Sequence, residues 1–241
     1  MSLDRFEQRR RHDRRRRWLR RALLVLVPVL VVALAWTVWF SSALAVRTVE
    51  VEGRTTLTEK QVLDRAQVPV GRPLARVDTV AIEERVSRIS RVESVEVDRG
   101  WPHTIVVRVV ERRPVVWTRV GGQVRAVDRY GIDYRTLAKP PKGLVEVSVD
   151  SFDARVRQQA LEEAASVVER LRADAPDLYR AVQSVDADTK DSVTLDLTKG
   201  RTVTWGSRAK FAEKEKVLRA LLRISARTYD VSAPEQPTTK K

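Results

Sequence analysis

The sequence predicts an α+β protein: one N-terminal transmembrane helix, a small β-α-α-β-β module, and a mixed, β-rich second domain with two long helices. Three observations carry this. Residues 22–46 hold no charged side chain and directly follow a block of arginines. From residue 46 onward, short runs of β-branched residues alternate with charged ones, the mark of half-buried strands. Between those runs lie stretches with apolar residues at helical spacing and capping residues in front of them.

The net charge of +14, taken as one figure, suggests a nucleic-acid partner. Its distribution argues otherwise. Residues 1–21 hold ten arginines against three acids, which is half of the total. The block Arg9–Arg17 has almost no apolar residue to fold around and reads as a disordered basic arm. The rest of the excess is diluted over residues 47–241, with no basic face and interleaved aromatics of the kind nucleic acid requires. Nucleic acid is therefore not expected as a partner. Cysteine is absent, which excludes a disulfide framework, a thiol nucleophile and a Cys-based zinc site.

The run Ala22–Val46 reads ALLVLVPVLVVALAWTVWFSSALAV. As a helix it reaches about 37 Å, enough to cross a hydrocarbon core of roughly 30 Å with some tilt. Trp18 precedes it, and Trp36, Trp39 and Phe40 sit near its far end, as in an interfacial aromatic belt. Pro28 is tolerated better in membrane helices than in soluble ones. Arg14, Arg15, Arg16, Arg17, Arg20 and Arg21 place the N-terminus in the cytoplasm by the positive-inside rule, so residues 47–241 are expected outside. The competing reading is a cleaved signal peptide, because Ala43-Leu44-Ala45 fits an A-x-A site. The apolar run is too long for that, and the bulky Trp36-x-x-Trp39-Phe40 segment sits too close to the site. An uncleaved, single-pass type II anchor in the cell membrane is expected.

Val46–Glu52 alternates Val49 and Val51 with Glu50 and Glu52, a half-buried strand ended by Gly53. Thr58 and Gln61 form a capping box for a helix carrying Val62, Leu63 and Ala66. Pro69, Gly71 and Pro73 mark a loop. Asp78 caps a second helix, with Val80, Ile82, Val86 and Ile89 on its apolar stripe. Val92–Asp98 and Thr104–Glu111 alternate across the turn Arg99-Gly100-Trp101-Pro102 as a hairpin. Two helices on one face of three strands can bury a small core.

This segment, Val46–Val116, resembles the POTRA domain that follows the membrane anchor in the FtsQ/DivIB bacterial cell-division family. The matching stretches are VRTVEVEG, VGRPLARVD and VESVEVDRGWPHTIVVRVVERRPVV. The Arg99-x-Trp101-Pro102 turn and the exit Val110-Glu111-Arg112-Arg113-Pro114-Val115 are the most specific. The order of basic arm, single span and POTRA-like module is also the family's.

Residues 117–232 resemble the family's second domain. Val124–Asp128 followed by Arg129-Tyr130-Gly131-Ile132 resembles the strand-turn-strand that opens that domain, with Gly131 supplying the turn. Leu144–Val149 is a strand, and Phe152–Ala173 an amphipathic helix carrying Val156, Ala160, Ala164, Val167, Val168 and Leu171. Pro176 stops that helix. Val182–Val185, Val193–Leu197 and Thr202–Trp205 are short strands, with Lys199-Gly200 turning between the last two. Ser207 is placed as the N-cap of a helix over Arg208–Ala226. Residues 228–232 form a last strand at a sheet edge, and residues 233–241 a frayed tail.

Catalytic chemistry is hard to find. His12 lies in the arm and His103 at the hairpin, so no histidine pair has ligand spacing. Glu83-Glu84 and Glu162-Glu163 are neighbours on helices and diverge by about 100°, so they read as solvated faces. Ser207-Arg208-Ala209-Lys210 matches the S-x-x-K motif of cell-wall transpeptidases, but the companion S-D-N and K-T-G motifs are missing. No enzyme activity, cofactor, metal or small-molecule substrate is expected.

A binding role remains. The resemblance implies a divisome scaffold at the septum, linking early and late division proteins. It further implies that the terminal strand region recruits FtsB/DivIC-like and FtsL-like single-pass partners. Arg227, Thr228, Tyr229, Asp230, Val231 and Ser232 are the candidate partner-binding residues, through pairing at an open strand edge. The competing and compatible reading is that Tyr229 and Val231 finish the core of the second domain, since alternate residues face opposite sides. A POTRA edge at Val49–Glu52 or Ile105–Val109 is a second candidate surface. The alternatives are a membrane-anchored cell-wall transpeptidase or hydrolase, and a POTRA-bearing export or assembly component. The latter class carries repeated POTRA units and a β-barrel, which this sequence does not show.

Overall fold

The computed structural model describes residues 4–241, and for residues 4–17 and 19–21 the backbone alone. The side chains of Arg14, Arg15, Arg16, Arg17, Arg20 and Arg21 therefore lie outside the described residues. The chain divides into two compact units, Met1–Glu111 and Arg112–Lys241.

The first unit begins with α1 (Asp4–Phe40), which draws the basic arm into the same helix as the apolar run. This corrects the expectation of a disordered arm. Arginine is a good helix former, and an existing helix extends more easily than a new one nucleates. The apolar part, Ala22–Phe40, is 19 residues long with a mean hydropathy of 2.6. That is about 28 Å of helix, close to the hydrocarbon thickness. The helix ends six residues before the charge-free run does. A short 3-10 turn at Ser42–Leu44 follows, where Ser41 Oγ accepts from Ala43 N. Ala45 and Val46 are buried in the module that follows.

That module runs β1 (Thr48–Glu52), α2 (Glu59–Ala66), α3 (Thr79–Ser87), β2 (Val92–Gly100) and β3 (Thr104–Glu111). The expected β-α-α-β-β order is observed. The sheet order is β1-β3-β2, with β1 parallel and β2 antiparallel to β3. The Thr58–Gln61 capping box forms in both directions, and Asp78 caps α3 through Ala81 N. Val62, Ala66, Ile82 and Val86 meet Ile105, Val107 and Val109 in one core. Val80 was expected on the core stripe of α3 but is exposed. It lies two residues from Ile82, about 200° around the helix. Glu83 is not merely solvated: its Oε1 accepts from Val97 N at 2.9 Å and ties α3 to β2.

Glu111, at the end of β3, is buried. Its carboxylate accepts from Leu57 N at 2.9 Å and Thr56 N at 2.7 Å, and from Thr55 N and the Thr56 hydroxyl. Burial alone pushes this carboxyl's pKa up, but the four donors outweigh it and hold the pKa at about 2.

The second unit contains β4 (Val116–Val120), β5 (Gln123–Val127), β6 (Asp133–Leu137), β7 (Glu146–Ser148), α4 (Ala154–Asp174), α5 (Pro176–Ala181) and β8 (Val182–Ala187). It continues with β9 (Val193–Leu197), β10 (Arg201–Gly206), α6 (Phe211–Leu221), β11 (Thr228–Asp230) and β12 (Thr238–Lys240). The strands form one sheet in the order β12-β11-β10-β9-β8-β7-β4-β5-β6. Val116 belongs to this unit's core, so the boundary falls earlier than the sequence suggested. The hairpin β4–β5 was not anticipated. Gly121 and Gly122, both at positive φ, make the two-residue turn that such a hairpin favours.

The helices cover one face of the sheet. Ala160, Ala164, Val167, Val168 and Leu171 of α4 pack with Val185, Leu195, Val203 and Trp205. The helix starts after Asp153, whose carboxylate caps Arg155 N and Val156 N, so Phe152 stays outside it and exposed. Pro176 does not simply end α4; it occupies the first turn of α5, where its missing N–H costs nothing. The register places Ser184, Thr194, Asp196, Thr202, Thr204, Thr228 and Asp230 on the opposite, polar face.

Candidate functional site

The strand predicted over residues 228–232 forms as β11, but it is not the edge. β10 pairs with it in parallel on one side, and β12 pairs antiparallel on the other, with Tyr229 opposite Thr239. Residues 233–241 are therefore not a frayed tail. Pro234 is buried, and Glu235 pairs with Lys210, which fastens the segment leading into β12. The only sequence signal for β12 is the pair Thr238-Thr239, which is β-branched but too short to stand out. Among the described residues β12 has a neighbour on one side only.

The six candidate residues separate by alternation. Tyr229 and Val231 point into the core and are 1% and 0% exposed. The Tyr229 hydroxyl accepts from Ala226 N at 3.2 Å. It lies 2.8 Å from Ile224 O and 3.0 Å from Ala226 O, either of which its one proton can reach. It thus holds together the turn between α6 and β11. Tyr229→Phe is expected to lower stability by about 1–2 kcal/mol, measured by thermal denaturation. Thr228 and Asp230 lie on the polar face, and Asp230 accepts from Ser232 N and Ser232 Oγ at 2.9 and 2.7 Å. Arg227 and Ser232 are exposed. Arg227, Thr228, Asp230 and Ser232 are therefore at least partly exposed, whereas Tyr229 and Val231 are buried.

Sequence reasoning missed the cleft beside this strand. It is open, with a volume of about 840 Å³, and lies between the end of α6 and the start of β11. Arg201, Arg223, Arg227, Lys199 and Lys241 line it with Leu222, Ile224 and the Tyr229 rim. None of these five cations forms an ion pair among the described residues. The sequence could not gather them, because they come from three separate segments.

The S-x-x-K motif does not assemble a nucleophile. Lys210 pairs with Glu235. Lys214, buried, donates to Trp205 O at 2.9 Å and Ser207 O at 2.7 Å, and burial pushes its pKa down. Both contacts are to main-chain carbonyls, and neither amine is bonded to the Ser207 hydroxyl. Nor does Ser207 cap α6, which begins at Phe211 after Lys210 at positive φ. Glu163 accepts from Arg208 N and pairs with the Arg208 guanidinium at 3.3 Å. This corrects the solvated reading of Glu163, which is buried. Among the described residues, no group of three His, Asp or Glu is placed to hold a metal ion.

The family model described as POTRA domain, FtsQ-type, matches residues 44–112. The chain is 41% identical to the cell division protein FtsQ of Streptomyces bingchenggensis over 214 residues, covering 84% of this chain and 78% of the relative. It is 38% identical to that of Streptomyces venezuelae, over 91% and 83% of the two chains. For Mycobacterium tuberculosis FtsQ the identity is 33%, over 90% and 67%. On that identity across most of both chains, this protein belongs to the FtsQ family of cell-division proteins.

Proposed function

We propose that the protein is a single-pass type II scaffold of the divisome, acting at the septum without enzymatic activity and recruiting membrane partners through its second unit. The observation that carries the recruiting role is the one-sided strand β12 beside Arg227 and the basic cleft. A strand edge offers N–H and C=O groups for β-augmentation, and the cleft favours an acidic stretch on the incoming chain. FtsB/DivIC-like and FtsL-like single-pass proteins are the proposed partners. The arginine-rich arm supports a cytoplasmic N-terminus, with both folded units outside.

The test is a quantitative pull-down of those partners with Thr238→Pro and Thr239→Pro variants, each checked for folding by circular dichroism. Successive N–H groups of a strand point to opposite sides, so one of the two prolines removes an outward donor. That variant is expected to lose partner affinity by about tenfold, the equivalent of one or two hydrogen bonds. Unchanged affinity in both variants rejects edge pairing. Depletion of the protein is expected to give elongated cells, and normal-length cells would reject the division role itself.

A further inference from the structure

We propose that the end of the POTRA-like module next to α1 rests on the phospholipid headgroup layer. Val70, Val80 and Trp101 meet the interface there, and Arg47, Arg72 and Arg76 face lipid phosphates. The proposal rests on α1 spanning the membrane, and adds a second, folded membrane contact to it.

The chain path gathers these residues at one end of the module. β1 leaves from α1, α2 returns, α3 leaves again, and β2 returns to the hairpin turn. The loop between α2 and α3 and the turn at Trp101–His103 therefore sit beside the start of β1. Hydrogen bonds record this. Val46 N donates to Arg72 O and Gly71 N to Val46 O, both at 2.9 Å. Arg47 N donates to His103 O, also at 2.9 Å. Ala45 bridges to Pro73.

The tether to the membrane is short. The apolar helix ends at Phe40, and the chain enters the module's core at Ala45. The Arg76 guanidinium lies over the Phe40 ring at 5.6 Å, and Phe40 stacks on Trp36 at 4.4 Å. Arg76 is thus at the level where an aromatic belt meets headgroups.

Surface chemistry fits the same contact. Among the described residues of this unit beyond α1, four large apolar side chains are exposed: Val70, Val80, Trp101 and Val110. The first three are at the end adjoining α1. Trp101 is half exposed at the tip of the hairpin turn, where a tryptophan has no core to fill. Arg47, Arg72 and Arg76 are exposed around them, while the Asp78 carboxylate is engaged in capping α3. Exposed apolar residues ringed by arginines suit a phospholipid surface: the rings and methyls enter the interface and the guanidiniums meet phosphate.

The absence of cysteine makes the test direct. Single cysteines at Val70, Val80 and Lys60 take a nitroxide label in the full chain, held in nanodiscs of phosphatidylcholine alone or mixed with phosphatidylglycerol. Lys60 is exposed near the opposite end of the module and serves as the solvent reference. A label at Val31 reports the span separately. Labels at Val70 and Val80 are expected to show a several-fold higher ratio of oxygen to nickel-chelate accessibility than the label at Lys60. Arg72→Glu with Arg76→Glu is expected to return that ratio toward the Lys60 value, most strongly with phosphatidylglycerol present. A lipid-buried Val31 with Val70 and Val80 as solvent-accessible as Lys60 overturns the proposal alone. A solvent-accessible Val31 overturns the span and the proposal together.

Discussion

Replacing Glu111 by alanine is expected to destabilise the first unit by about 3 kcal/mol or more. Four donors converge on this one carboxylate, from Thr55, Thr56 and Leu57, and Leu57 is itself buried. Without it the segment between β1 and α2 loses this anchor to the end of β3, and its N–H groups lose their acceptor. Glu111→Gln keeps the shape but loses the charge and one acceptor oxygen, so a cost of about 2 kcal/mol is expected. The pH dependence carries a sign. The carboxyl's pKa is lowered in the folded state from 4.5 to about 2. Its contribution is therefore complete above the unfolded value and is lost as pH falls through the window down to about 2. Chemical denaturation of the full chain in detergent, with hydrogen exchange following the amides of residues 55–57, measures both effects. A Glu111→Gln variant as acid-sensitive as the parent would sink this account.

The second large effect is expected at Gly131. Its φ is +71°, and an added Cβ would sit 2.4 Å from Glu162 N and 2.6 Å from Gln158 O. Both are backbone atoms of α4, which cannot move aside as a flexible side chain does. The left-handed conformation alone costs about 1 kcal/mol for a residue with a Cβ, and the clash adds about 2 or more. Gly131→Ala is expected to lose about 3 kcal/mol or more in total. Gly143→Ala is the control. That glycine also has positive φ, at +76°, but nothing lies within 4 Å of its added Cβ. Its cost should stay near 1 kcal/mol. Melting temperatures of the two variants compare them, and similar shifts would show that the approach to α4 is not tight.

Gly131 also illustrates what was legible. As a turn residue after β5 it could be read directly, because glycine supplies positive φ where few residues do. Its packing against α4 could not, because the contact joins residues far apart in the chain. Asp128 is similar. It reads as a strand end, but in the fold it is fully buried, pairs with Arg112 and accepts from Tyr130 N and Ile132 N. Local signals of capping, alternation and turn chemistry worked well in the first unit, where Thr58, Asp78 and the alternating valines of β3 behave as read. They worked less well for α6: Lys214 and Glu163 hold the chain from the end of β10 to Arg208, and the helix starts only at Phe211.

The sequence by itself determined the charge-free apolar helix behind the basic block, the β-α-α-β-β order of the module after it, and the family. These follow from contiguous features: a charge-free run behind a basic block, alternation within strands, and motifs at fixed spacing. Tertiary structure alone decided which of the candidate residues are accessible and which are buried. Alternation told that Tyr229 and Val231 share a side, but not that α6 and the sheet would bury it. Among the described residues, the sheet edge at this end is Thr238–Lys240 rather than Thr228–Asp230, because β12 follows the segment holding buried Pro234 and pairs along β11. Burial and pairing of this kind depend on distant segments, and no local pattern records them.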